Sequence, residues 1–440
     1  MISKIHLHQI GPAPDLEAEF GERLNLITGD SGLGKSFLLD ACWYALTNTW
    51  ADGKSFFPTP DVSKKDPPRI SYKIASQTAN AHSANATSTY EFASQAWRNP
   101  RSSSLNPGLV LYVRVDGGFS LWDPARNGWL GLDNWNNAAE HFLDCPPAFQ
   151  FSSNQVWDGL EEDQTGQKKT ICNGLLRDVE TWRLKGNGAF QLLQNILKGI
   201  SSGEEETLSI GEGVRVRIDD AKDIPTLKMP YGLVPVTHAA AGMRRILALA
   251  YMLVWTWDEH CRVSELEKER PANRIVMLFD EIESHLHPKW QRVFLPSLLE
   301  VVKALLFNSK PQSVQIIATT HAPLVLASVE AAWSAQQDRL FDFKLVEGNR
   351  VCFEEVEFAR QGSASNWLTS SSFALQSDYA VAAEKAMRRA DELMRRYPHA
   401  EQAPREESEA IHNDLKSSLG GDDEYWPYWL PYYEATKRVA

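Results

Sequence analysis

Gly29-Asp30-Ser31-Gly32-Leu33-Gly34-Lys35-Ser36 reads as G-x-x-x-x-G-K-S. The short apolar run Leu24-Asn25-Leu26-Ile27 precedes it, and a stretch from Ser36 to Leu46 with helical character follows. A strand, a glycine-rich turn and a helix start form the setting in which this string cradles phosphate. Glycines let successive backbone N–H groups wrap a phosphate, and the helix N-terminus adds positive potential. Lys35 is expected to reach the β- and γ-phosphates and the Ser36 hydroxyl to ligate Mg²⁺. Gly29, Asp30, Ser31, Gly32, Leu33, Gly34 and Phe37 complete the expected cradle.

A second signal lies far along the chain. Ile275-Val276-Met277-Leu278-Phe279 is an apolar run ending in Asp280-Glu281. A strand buried on both faces reads this way, and adjacent carboxylates at its end suit metal and water chemistry. Asp280 is expected to hold Mg²⁺ through water, and Glu281 to polarise the attacking water as general base. Another buried strand, Val314–Ala318, runs into Thr319-Thr320-His321. His321 is the expected contact to the γ-phosphate.

Bulk properties narrow the field. The chain has 440 residues, 43% hydrophobic and 23% charged, with a formal net charge of −12. That length exceeds one compact core, and that charge argues against a protein whose main task is coating nucleic acid. No run of 18 apolar residues is present, so no membrane span is expected. The N-terminus lacks the apolar centre of a signal peptide. Five cysteines without paired spacing point to a reducing, cytoplasmic setting.

Together the three motifs resemble soluble ABC-class ATPases of the RecF, SMC and OLD-family kind. Leu278-Phe279-Asp280-Glu281-Ile282-Glu283-Ser284-His285-Leu286-His287-Pro288 is similar to the DE-x-E-x-x-LHP form of OLD-like ATPases, many of them in phage defence. The resemblance covers residues 1–45 and 235–330. It implies an α/β P-loop fold of ABC type: a mixed sheet, an antiparallel β-part and an inserted helical lobe. It implies ATP and Mg²⁺ as ligands. It also implies a signature loop, for which Ala239-Ala240-Ala241-Gly242-Met243-Arg244-Arg245 is the candidate. Gly242 and Arg244 would then face the partner's nucleotide across an ATP-dependent homodimer. The serine of that loop is absent, because Ala240 stands in its place. The family's metal-side glutamine is assigned to Gln155, with Gln150 as its rival.

The remaining segments carry less. Residues 50–70 read as a loop, 70–122 as antiparallel strands with a hairpin loop at 77–87 and a turn at Gly117-Gly118, and 137–200 as broken helix. Leu208–Ile218 reads as strand, Pro288–Leu306 as one amphipathic helix, 377–397 as charged helix, and 404–409 as a breaker. The domain reading is 1–130, an N-terminal ATPase lobe; 131–235, a mainly helical insertion; 236–345, a C-terminal ATPase lobe; and 346–440, a helical extension. The aromatic run Tyr425–Tyr433 is read as packing back onto the core, with a partner-docking patch as the alternative. His285, His287 and Glu283 are read as shaping an interface rather than binding zinc. No nuclease motif is evident, so any nuclease or other effector is expected on a separate chain. The functional expectation is an ATP-driven switch controlling such an effector in phage defence. The alternatives are a DNA-repair ATPase acting on DNA directly and an ATP-binding module with little turnover.

Overall fold

The computed structural model describes residues 1–53, 55–58, 62, 64–75, 84–98, 106–127, 148–164, 167–201, 207–305, 313–346, 350–373 and 375–437. The chain divides into two compact units, Met1–Ala364 and Ser365–Ala440. Among the described residues no helix is long and apolar enough to cross a membrane.

The first unit opens with β1 (Ile2–His8), β2 (Asp15–Glu19) and β3 (Leu24–Gly29), then α1 (Lys35–Thr47). Four strands follow, β4 (Arg69–Ile74), β5 (Ala84–Glu91), β6 (Ala96–Arg98) and β7 (Leu109–Val113), and then β8 (Phe119–Trp122) and β9 (Phe149–Phe151). The next segment holds α2 (Ser153–Asp158), the hairpin β10 (Leu160–Gln164) and β11 (Gln167–Cys172), α3 (Leu175–Lys185) and α4 (Gly188–Ile200). Two short hairpins come next, β12 (Val214–Arg215) with β13 (Asp223–Ile224), and β14 (Thr226–Met229) with β15 (Gly232–Pro235). The unit continues through α5 (Ala241–Leu266), β16 (Arg274–Phe279), α6 (Pro288–Gln291), α7 (Phe294–Leu305), β17 (Ser313–Thr319), α8 (Pro323–Val329), β18 (Asp338–Val346) and β19 (Arg350–Val356).

Two sheets hold these strands. One is antiparallel, in the order β2-β1-β4-β5-β6. The other has eight strands in the order β19-β18-β3-β17-β16-β7-β8-β9. Its five middle strands run parallel and its outer pairings are antiparallel. Helix α1 packs against strands of both sheets. That position explains its composition: Leu38, Leu39, Trp43, Tyr44 and Leu46 are buried on every side, as befits a helix with no solvent face. The parallel arrangement brings the ends of β3, β16 and β17 to one edge, where ligands of open α/β sheets bind.

The structure revises several sequence expectations. Ala84–Thr87, read as loop, belongs to β5, and 76–83 lie outside the described residues. The stretch 208–218 makes only β12 and an isolated bridge at Ile210. The helix expected over 288–306 is broken into α6 and α7. The lobe expected to be mainly helical also carries three hairpins. The β18–β19 hairpin extends the main sheet beyond residue 345, and the first unit closes at Ala364.

The second unit holds α9 at its boundary (Ala364–Leu368), then α10 (Val381–Arg396), α11 (Arg405–Ser418) and α12 (Trp426–Lys437). Pro404 stands at the N-cap of α11, so the expected breaker is a helix start. Trp429 and Tyr433 of the aromatic run pack on Ala390, Leu393, Ile411 and Leu415 within this unit, while Tyr428 stays exposed.

Candidate nucleotide site

The loop between β3 and α1 depends on glycine. Gly29 has φ +123° and Gly34 φ +106°. A Cβ on Gly29 would collide with the Phe343 carbonyl oxygen, and one on Gly34 with the Pro12 ring. Asp30, Ser31 and Gly32 stay exposed, while Leu33 is buried. Lys35 is only 6% exposed, and its Nζ donates to the carbonyl oxygens of Gly29 at 2.8 Å and Asp30 at 2.7 Å. Burial lowers its pKa against the pull of Glu281, Asp30, Asp280 and Glu283. An ammonium held in this way suits an incoming polyphosphate. The Phe37 ring is stacked on Phe56 with centroids 4.2 Å apart, so that side chain serves packing and only its backbone remains for a ligand.

The structure brings the two distant motifs together. Ser36 Oγ donates to Asp280 Oδ1 at 2.9 Å, and Thr319 Oγ1 donates to the same oxygen at 3.0 Å. Asp280 is 6% exposed. A hydroxyl beside a carboxylate is a set of hard oxygen donors, and that set fits Mg²⁺. Glu281 adopts φ +50°, a left-handed conformation uncommon for a residue with a side chain. Its backbone N–H donates to Thr319 Oγ1 at 2.8 Å, and its carbonyl accepts from Ser284 N at 2.9 Å. His321 follows β17 and donates its backbone N–H to Glu283 Oε1 at 2.6 Å. Asp280, Glu281 and His321 thus stand on the ends of adjacent parallel strands.

Other expected site residues are placed differently. Gln155 sits in the first turn of α2, and its Oε1 accepts from Ser152 N at 2.8 Å and Ser152 Oγ at 3.0 Å. That capping box uses the oxygen meant for the metal. The rival Gln150 accepts from Arg114 Nη1 at 3.2 Å and from Asp52 N at 3.1 Å. Gly242 lies in the first turn of α5, where an added Cβ would come 2.6 Å from the His285 carbonyl oxygen of its own chain. Glycine at 242 therefore has a reason within the chain. Ala240 is the N-cap of α5 and offers no side-chain bond to it. Arg244 is exposed, and with Arg245, Asp116, Ser153, Trp157 and His285 it lines a cavity of about 230 Å³. Among the described residues no group of three His, Cys, Asp or Glu side chains is arranged to hold a metal.

Sequence reading gave no site role to Thr319 or Asp40, and it placed Glu283 at an interface rather than against the His321 backbone. Asp40 lies one turn beyond Ser36 on α1, bonded to the Tyr112 hydroxyl. Burial pushes its carboxyl up to about 6, and neighbouring Asp280 and Asp52 push the same way, opposed by Tyr112 and Arg114. A carboxylate one helical turn after the phosphate-loop serine was a usable signal. Thr319 and Glu283 left no periodic trace, since their roles depend on which strand lies beside which.

The chain is similar to several known proteins. Residues 231–327 match the family model described as "AAA domain, putative AbiEii toxin, Type IV TA system", and residues 4–100 match one described as "AAA domain". The chain is 20% identical over 330 residues to the Septu protein PtuA of Bacillus thuringiensis, covering 73% of this chain and 72% of that protein. It is 26% identical over 154 residues to the Retron Ec83 probable ATPase of Escherichia coli, covering 34% of this chain and 23% of that one. Among solved structures, the SMC head domain from Thermotoga maritima superposes with a TM-score of 0.39 at 12% identity, over 81% of this chain and 99% of that one. The two family-model matches fall on the segments that supply the phosphate loop and the Asp280-Glu281 strand, so both halves of the site lie in AAA-type ATPase domain sequence.

Proposed function

We propose that this ATPase is a phage-defence switch in which ATP closes a head-to-tail dimer and hydrolysis reopens it, setting the state of an effector on another chain. Lys35 binds the β- and γ-phosphates, the loop N–H groups of residues 29–37 cradle them, and Ser36 with Asp280 would hold Mg²⁺. The bound ion would neutralise charge on the phosphate oxygens as the terminal bond breaks. Glu281 accepts the proton of the attacking water, and His321 meets the γ-phosphate. Arg244 and the start of α5 face the nucleotide of the second copy.

The observation that carries this reading is the meeting of Ser36 and Asp280 at 2.9 Å, with Glu281 and His321 just beyond the ends of the parallel strands β16 and β17. Likeness to a Septu protein and a retron ATPase supports the defence setting. The exposed Arg244, at the head of a helix without a side-chain cap, supports a contact completed from outside the chain.

The test is Glu281→Gln, which preserves shape and removes the base. ATP should still bind, turnover should fall by about 10²-fold or more, and the ATP-bound protein should run as a dimer by light scattering. Normal turnover would assign the base elsewhere. A monomer at high concentration with ATP bound would remove the dimer mechanism. Ala240 favours a second reading, a slow ATPase that acts mainly by holding ATP. Single-turnover and steady-state rates of the wild-type protein separate the two.

A further inference from the structure

Two half-buried charged side chains beside the site, each with one buried atom left unpaired, have no use in the chemistry above. Glu283 Oε1 accepts from His321 N at 2.6 Å, but Oε2 is buried with no hydrogen-bond partner. Arg245 on α5 is the complementary case. Its Nη1 donates to the Val115 carbonyl oxygen at 3.3 Å, and its Nη2 is buried with no partner. Unpaired buried charge is costly, so a structure that leaves two opposite ones near each other is poised to pair them. No ion pair joins them in this arrangement. Burial disfavours the Arg245 charge, and Asp116, Asp280, Glu281 and Glu283 oppose that effect.

The packing brings the two elements together. Arg245 shares an apolar pocket with Ile282 and Leu286, the residues that bracket the Glu283 turn. The first turn of α5 approaches the same turn so closely that Gly242 has no room for a Cβ beside the His285 carbonyl oxygen. On its other side Arg245 borders the cavity of about 230 Å³ that also reaches His285, so the guanidinium has space to move.

We propose that Glu283 is a positioning residue that links the γ-phosphate sensor to the head of α5. One carboxylate oxygen holds the His321 backbone. The other takes Arg245 Nη2 when nucleotide is bound, so a shift at His321 is passed to the helix that carries Arg244. Turnover then depends on this pair although neither residue touches ATP. The inference rests on the nucleotide-site reading of Glu281 and His321.

The test compares turnover and ATP affinity in Glu283→Gln, Arg245→Gln and the double variant. Glutamine at 283 keeps an oxygen for the His321 N–H and replaces the free acceptor with an NH₂ group. Each single variant should lose about ten- to a hundredfold in kcat, with ATP Kd within about threefold of wild type. The double variant should be no slower than the slower single one, because both break one link. A general structural defect would instead move Kd and the nucleotide-free melting point together with kcat. Wild-type turnover in Glu283→Gln, or losses that multiply in the double variant, would overturn the link. Should Glu283→Gln not fold, Arg245→Lys must retain more turnover than Arg245→Gln, and equal turnover in both overturns it. If Glu281→Gln also turns over normally, the site reading and this inference fall together. If Glu281→Gln is inactive while Glu283→Gln is normal, only the link is lost.

Discussion

At the scale of single residues, the site is held by hydrogen bonds that put charge where a polyphosphate would meet it. Lys35 donates to two carbonyl oxygens of its own loop, so its ammonium is already placed before any phosphate arrives. Lys35→Ala should abolish ATP binding measured by calorimetry or fluorescent nucleotide. Two charged hydrogen bonds are lost and a buried cation is relieved, so nucleotide-free stability should shift by no more than about 2 kcal/mol. Unchanged ATP affinity in the folded variant would sink the assignment of the phosphate loop. Asp40 makes a second prediction. Its carboxyl titrates at about 6 against 3.8 in an unfolded chain, so the folded state holds the proton more tightly. Stability contributed by this group therefore falls as pH rises from about 4 to 6, and the penalty at neutral pH is at most about 3 kcal/mol before solvent screening. Asp40→Asn keeps an acceptor for Tyr112 and carries no charge. Without Mg²⁺ and nucleotide it should melt above wild type at pH 7, and the gain should vanish toward pH 4. A difference that is flat with pH would mean Asp40 carries no such penalty.

At the scale of elements, β16 and β17 act as one unit because Thr319 bonds across to both Asp280 and Glu281. Its hydroxyl accepts from one residue and donates to the other, which helps to hold Glu281 at positive φ. Thr319→Val keeps the shape and removes both bonds, so turnover should fall much more than ATP affinity, as kcat and Kd measured side by side would reveal. The head of α5 is the other decisive element. Ala240 is its N-cap and leaves the first-turn N–H groups without a side-chain acceptor. Ala240→Ser should stabilise the first unit by about 1 kcal/mol in chemical denaturation. If α5 also meets the partner's nucleotide, the same hydroxyl should raise turnover. Stabilisation without any change in rate would leave the residue as a cap alone.

At the scale of the whole molecule, the question is whether two copies complete each other. Gly242 is a poor probe, since any side chain there would press on the His285 carbonyl oxygen of its own chain. Arg244 is exposed and serves better. Lys35→Ala and Arg244→Glu proteins should each be inactive alone. After subunit exchange, a head-to-tail heterodimer has one doubly damaged site and one intact site, so turnover should return. Heterodimers that form by mass measurement yet stay inactive would argue that both sites fire together or that Arg244 acts within its own chain. An Arg244→Glu protein with full activity alone would exclude the trans role outright.

The sequence by itself determined the phosphate loop, the buried strand before Asp280-Glu281, the strand before His321 and the α/β P-loop class. Each is local: a glycine spacing, an apolar run or a helix start is written in consecutive residues. Tertiary structure alone decided the rest. Ser36 and Asp280 are far apart in the chain, and only the strand order β3-β17-β16 makes them neighbours. Gln155 looked suited to the metal by residue type, but its oxygen is used in a capping box that no composition reveals. Thr319 and Asp40 are ordinary residues in sequence, and Glu283 is legible there only as part of the string after Asp280-Glu281. Their contacts come from the parallel register of β16 with β17 and from the burial of α1 between two sheets. Hydrogen bonds between strand ends are set by that register, and register is a property of the folded sheet rather than of either strand.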